Sequence, residues 1–185
     1  MSPEERFREM FEATYPVVVR YARHRGLAGQ DLEDLLSATF EVAWRRFDRV
    51  PAGEGAVPWL LTVAHNHLRN HRRRLARERG MLERLAAPEP VWDSSPSRVS
   101  WQEIRRALDR LSDSERELIL LIAWDELTPA QAAGVLGLSA GATRTRLHRA
   151  RAKLTDSLSG GSARGRTSVP RALADGIEAM RRPGA

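Results

Sequence analysis

Residues 128–154 read "TPAQAAGVLGLSAGATRTRLHRARAKL", and their punctuation decides the fold of this half of the chain. Thr128-Pro129-Ala130-Gln131 is a helix start: a hydroxyl to cap, a proline at the first helical position and a glutamine placed to return a hydrogen bond. Ala132, Ala133 and Leu136 then face inward. Gly137 is a natural left-handed stop, and Ser139 caps a further helix only two residues later. A short helix, a tight glycine turn and a longer basic helix form a helix-turn-helix. Residues 139–154 carry five cationic side chains and no acidic one. On a wheel of about 100° per residue, Thr143, Leu147, Ala150 and Leu154 form one seam. The same wheel sets Thr145, Arg146, Arg149 and Lys153 nearly opposite, with Arg144 and Arg151 flanking the seam. The seam is expected to pack on preceding helices while the cationic face enters a major groove, where arginine bonds guanine bidentately and flanking cations meet phosphates. The plainer alternative is a solvated cationic face on an ordinary surface helix.

Working back from this motif, Ser112-Asp113-Ser114-Glu115 is a second capping box, ahead of Leu118, Ile119, Ile122 and Trp124. Trp101, Ile104, Leu108 and Leu111 open the domain with another amphipathic helix. Before them, residues 87–97 ("APEPVWDSSPS") hold three prolines and no period, and read as a linker.

The chain's first half is also helical in pattern. Ser2 caps a helix with Pro3 at its first position and Glu5 returning a bond, and Phe7, Met10, Phe11, Thr14 and Val18 give it an apolar face. The period runs past Tyr15-Pro16 to Tyr21, so the proline is read as a kink rather than an end. After a break at Gly26 to Gln30, Asp31 is expected to cap a second helix carrying Leu32, Leu35, Leu36, Thr39, Phe40, Ala43, Trp44 and Phe47. A third helix is expected to begin at Pro58, to carry Trp59, Leu60, Val63, Ala64 and Leu68, and to dissolve into "RNHRRRLARERG" at residues 69–80.

The expected architecture is therefore all-α: an N-terminal helical bundle over 1–86, a flexible linker over 87–99, a four-helix domain with the helix-turn-helix over 100–155, and a flexible extension over 156–185. In that extension Leu173, Ile177 and Met180 suggest a short amphipathic helix. Residues 87–99, fully extended, would span roughly 45 Å, more than a DNA turn of about 34 Å, so two separated sites are within reach.

Composition narrows the chemistry. In 185 residues a hydrophobic fraction of 42% is enough for packed cores, and a formal charge of +6 favours an anionic partner. Of the 30 cationic residues only Lys153 is a lysine, so it is the clustering of arginines, not their number, that carries information. The absence of cysteine rules out disulfides, thiolate metal sites and cysteine catalysis. The acidic start "MSPEERF" is unlike a secretory signal, and no stretch approaches the roughly 18 apolar residues of a membrane span. A soluble, cytoplasmic protein without membrane insertion is expected. His67 and His71, one turn apart, are the best case for a metal enzyme. They lack the adjacent glutamate of a zinc-protease helix and any acidic third ligand close in sequence, so no catalytic residue, metal or cofactor is expected. His65 and His67 are instead expected at the bundle edge or against DNA.

Residues 107–154 closely resemble the C-terminal DNA-binding domain of the extracytoplasmic-function sigma factors. "DLEDLLSATFEVAWRRF" (31–47) and "VPWLLTVAHNHLRNHRRR" (57–74) resemble the same family's N-terminal domain, in the same order. The resemblance covers about residues 5–155. It implies a non-enzymatic subunit that recruits core RNA polymerase to promoters, its N-terminal domain opening the minus-ten element and its C-terminal domain reading minus-thirty-five.

Residue by residue, the resemblance implies that Arg144, Thr145, Arg146 and Arg149, with His148 among them, contact the minus-thirty-five element, and that Thr128 reaches a phosphate. Asn66 matches the position that captures a base flipped from the non-template strand, with Arg69, Arg72, Arg73 and Arg74 supplying backbone cations. A helix cap is the alternative role for Asn66. Trp59 resembles a packing anchor. The second helix would dock on the clamp of the largest polymerase subunit through Asp34, Ser37, Glu41 and Arg45, with Phe40 and Trp44 in the core. An anti-sigma protein is a further partner that the family implies.

Three departures stand out. Ser37-Ala38 replaces a frequent Gln-Glu pair, Gln131-Ala132 replaces an acidic residue and isoleucine, and Thr143 replaces a common valine. The competing reading is a helix-turn-helix regulator that binds operators without joining polymerase.

Overall fold

The computed structural model describes residues 2–78 and 101–160. The chain divides into two compact units, one holding the first of these stretches and the other the second. Among the described residues all regular structure is helical. The linker over 87–99, the boundary at 86 and the amphipathic segment around Leu173 to Met180 lie outside the described residues.

In the first unit, α1 spans Pro3–Arg23, α2 spans Gly29–Arg45 and α3 spans Ala56–Glu78. The Ser2 capping box forms as expected, with Glu5 N donating to Ser2 Oγ at 3.2 Å and Ser2 N donating to Glu5 Oε2 at 2.7 Å. The helix then continues through Pro16. Every pair of the three helices packs, around Val18, Tyr21, Leu35, Phe40, Leu60, Leu61, Ala64 and Leu68. Each large apolar side chain removed from water there contributes about 1.5–3 kcal/mol of transfer free energy.

The chain enters α2 three residues before the expected start. Gly29 has φ +53°, a left-handed turn that glycine makes cheaply, and Ala28 occupies the cap position without a side-chain bond. Asp31 falls within the first turn instead, where its charge still favours the helix N-terminus. Helix α3 likewise starts at Ala56, and Pro58 sits in its first turn, where a missing N–H costs no intrahelical bond. It does not dissolve after Leu68. His71 and Leu75 keep the inward spacing, both half-buried, and arginine is a good helix former, so α3 stays helical through the arginine run to Glu78.

In the second unit, α4 spans Trp101–Asp109, α5 Asp113–Ala123, α6 Pro129–Leu136 and α7 Ala140–Gly160. Helix α5 is buried along Leu118 to Ala123 and packs on α6 and α7, while α4 packs on α7. Trp124, at its C-cap, is half-buried. Leu147, Ala150, Leu154 and Thr143 are all buried, which is the seam expected of α7. The helix runs past residue 155 to Gly160, so the first residues of the expected flexible extension belong to it.

Candidate nucleic-acid interfaces

The helix-turn-helix forms from its own sequence signals. Thr128 caps α6: Gln131 N donates to Thr128 Oγ1 at 3.2 Å, and Thr128 N and Oγ1 donate to Gln131 Oε1 at 2.9 and 3.0 Å. Gln131 thus completes the capping box as an acidic residue would. Ala132 is fully buried. Gly137 ends α6 at φ +64° and ψ 38°, and Leu138 N donates back to Ala133 O at 2.9 Å, a Schellman closure. Ser139 Oγ then accepts from Ala142 N at 3.2 Å and opens α7. Thr143 is satisfied within its own helix, its hydroxyl donating to Ser139 O at 2.9 Å.

Arg144, Thr145, His148 and Arg149 are exposed and form one outward strip of α7. Thr128 is exposed at the N-terminus of α6. Two side chains expected beside them are elsewhere. Lys153 Nζ reaches the Glu115 carboxylate on α5 at 2.7 Å. Arg146 is half-buried, with its Nη1 enclosed and without a hydrogen-bond acceptor. The reason is angular: at about 100° per residue, positions 146 and 153 sit beside the seam, not across from it. The outward strip is narrower than the charge count suggests.

In the first unit, the unbroken α3 removes the cap role for Asn66, which lies mid-helix and exposed. Arg69 and Arg73 are exposed with it, and Asn70 and Arg77 extend the same side. Arg72 and Arg74 are exposed as well, but each also has a contact on the bundle side. Arg72 Nη2 donates to Arg25 O at 3.4 Å, where the chain leaves α1. Arg25 is itself buried, its guanidinium 3.5 Å over the Tyr21 ring and its Nη1 donating to Tyr21 O at 2.8 Å. Tyr21 Oη lies 3.5 Å from His65 Nδ1, so His65 belongs to this interior string. Arg74 lines a cleft of about 420 Å³ between α2 and α3, with Asp31, Asp34, His67, His71 and Arg77. An acidic partner therefore does lie near His71, Asp31 Oδ1 at 3.7 Å from its Nε2. Among the described residues no cluster of three or more such side chains has metal-binding geometry.

On α2, Asp34, Ser37, Glu41 and Arg45 are all exposed, Arg45 pairing with Glu41 at 2.6 Å and Gln30 donating to Asp34 at 2.8 Å. Phe40 is core, but Trp44 is not: it is 48% exposed, its ring edge-on to Phe7 with centroids 4.9 Å apart. Helical period alone placed it inward. It instead lies at the end of α2, where Phe7 meets the indole edge-on and itself packs on Phe47. Trp59, expected as a packing anchor, is half-buried.

These two units match two known domains in order. Residues 10–78 match sigma-70 region 2, and residues 101–154 match sigma-70 region 4. The RNA polymerase sigma factor CarQ of Myxococcus xanthus is 31% identical over 162 residues, covering 84% of this chain and 90% of its own. The RNA polymerase sigma factor NccH of Alcaligenes xylosoxydans is 30% identical over 146 residues, covering 72% of this chain and 76% of its own. Among solved structures, the sigma factor RpoE in complex with the anti-sigma factor NepR, from Bartonella quintana, superposes with a TM-score of 0.64 at 26% identity, covering 84% of this chain and 99% of that one. The chain belongs to the extracytoplasmic-function sigma factors of the sigma-70 family. It is an RNA polymerase sigma factor, a transcription initiation factor, and no helix among the described residues is long and apolar enough to cross a membrane.

Proposed function

We propose that this sigma factor grips a promoter at two places and core polymerase at a third. Arg144, Thr145, His148 and Arg149 read the minus-thirty-five duplex from the major groove, and Thr128 holds a neighbouring phosphate. Arg146 joins them once its enclosed guanidinium turns outward, which relieves a donor that costs about 1–3 kcal/mol to leave unmet. Asn66, Arg69 and Arg73 hold the unwound minus-ten strand, by a polar contact to an extruded base and cations along its backbone. Arg72 and Arg74 contribute to that site indirectly, by fixing the end of α3 to the bundle. Asp34, Ser37, Glu41 and Arg45 dock on the polymerase clamp. The protein works in the cytoplasm, and an anti-sigma protein holds it inactive by covering one of these surfaces.

The observation that supports this reading most is the pairing of two exposed arginine-bearing helix faces, α3 and α7, in two units that follow the region 2 and region 4 order. A regulator that binds operators alone would need only residues 101–160 and would leave the α2 and α3 surfaces without a role. Size-exclusion chromatography of the full chain with core polymerase tests the reading. Co-elution is expected, weakened by a combined Asp34→Arg, Glu41→Arg substitution; independent elution of the native chain would refute it.

A further inference from the structure

Lys153 is the only lysine among 30 cationic residues, and it does not face the outward strip of α7. Its ammonium lies 2.7 Å from Oε2 of Glu115, a residue only 5% exposed. The same Oε2 accepts from Ser112 N and Ser112 Oγ, both at 2.9 Å, as the returning half of the α5 capping box. One carboxylate oxygen therefore ties the cap of α5 to the second half of α7. Burial alone would raise the Glu115 carboxyl, but the Lys153 hydrogen bond and the Ser112 donors outweigh it and hold the group below its ordinary range.

Thr143 and Ala150 are small, leaving Leu147 and Leu154 as the large apolar anchors. These anchors share one ridge, so contacts on the flanks help to set the helix's rotation, and each 20° of turn moves a long side chain tip by about 2–3 Å. Lys153 and Arg146 share one flank of the helix, at about 100° per residue. We propose that the Lys153–Glu115 pair is a positioning device that sets the rotation of α7, and thereby which side chains of Arg144 to Arg149 meet the base edges of the promoter duplex.

The identity of the residue fits this role. An ammonium is a compact point charge that joins Ser112 N and Oγ on one carboxylate oxygen, whereas a planar guanidinium fork is suited to spanning both oxygens. In a chain that uses arginine everywhere else, lysine at 153 reads as a requirement of this site. Lys153 and Glu115 touch no base in this scheme.

The inference rests on the minus-thirty-five role proposed for α7, and the test separates the two. Holoenzyme reconstituted from core polymerase and the full chain transcribes a template library whose upstream promoter element is randomised, and the transcripts are sequenced. Glu115→Gln, which keeps a competent capping box, and Lys153→Met are each expected to lower discrimination between the preferred and the average upstream element by about fivefold to tenfold, the value of roughly one base pair. The double variant should be no worse than either single one, Lys153→Arg should fail to restore selectivity, and thermal unfolding should stay cooperative throughout. Arg149→Ala serves as the control for the underlying role. If Arg149→Ala alters the selected element while Glu115→Gln and Lys153→Met leave it unchanged, the positioning proposal is overturned and the promoter reading stands. If Arg149→Ala has no effect either, the promoter reading of α7 fails first. If Lys153→Met weakens binding to all duplexes equally and Lys153→Arg restores it, Lys153 is a phosphate contact and the proposal is wrong.

Discussion

Replacing Gly137 by alanine isolates the cost of the helix-turn-helix corner. A Cβ built on Gly137 meets nothing within 4 Å, so no clash enters the sum. What remains is the backbone: at φ +64° an L-residue with a Cβ loses about 1–2 kcal/mol relative to glycine. Alanine also restricts the unfolded chain, returning about 0.4–1 kcal/mol. The expected net loss is therefore about 1 kcal/mol, with Gly137→Asn costing roughly half as much, because a short polar side chain tolerates this region. Amide exchange at Leu118 to Ile122, buried in the same unit, reads the opening free energy of that unit independently of the other. The protection factors should fall by about fivefold for alanine, a change of ~1 kcal/mol. An unchanged or raised protection would mean the corner is not left-handed. A loss beyond about 3 kcal/mol would mean that the side chain is crowded, against the open space seen here.

Three further outcomes follow from the geometry. Asn66→Ala combined with Arg69→Ala and Arg73→Ala should leave formation of the polymerase complex intact and reduce promoter opening by about tenfold or more, read by permanganate reactivity of unpaired thymines; unimpaired opening would remove α3 from that role. Arg72→Ala should act on the bundle instead, lowering the stability of the first unit by about 1 kcal/mol through loss of the bond to Arg25 O; a large opening defect without any destabilisation would contradict the division made between Arg72 and Arg73. The Glu115 carboxyl is held below its ordinary range when folded, so its stabilisation is present above the unfolded value and lost as pH falls through the folded one. Wild type should exceed Glu115→Gln by about 1.5 kcal/mol near neutrality, and the gap should narrow as pH falls from the ordinary carboxylate range through the lowered folded value; a gap independent of pH would rule out the charged pair.

The local signals were the most legible part of the sequence. Ser2, Ser112, Thr128 and Ser139 all accept the backbone bonds their positions imply, and Gly137 takes the left-handed turn. These depend on three or four adjacent residues, and little in the tertiary structure competes with them. The extent of α3 was not legible, because a run of arginines reads as a solvated end while each one still favours helix, and Leu75 supplies one more inward contact. Which arginines face outward was only partly legible. Arg69, Arg72, Arg73 and Arg74 are all exposed, but Arg72 also donates to a carbonyl more than forty residues away in sequence and Arg74 also lines the α2–α3 cleft, contacts that no local pattern announces. Trp44 illustrates the same limit: the helical period places it inward, yet with Phe7 edge-on to its ring it stays 48% exposed.

Start-site mapping bears most directly on the two-place grip. Core polymerase supplemented with the full chain, on genomic fragments from its source, should initiate at discrete sites that share two upstream elements at a fixed spacing. Substituting Thr145 and Arg149 should change selection only at the upstream element. Initiation no different from that of core polymerase alone, or start sites indifferent to both residues, would contradict it.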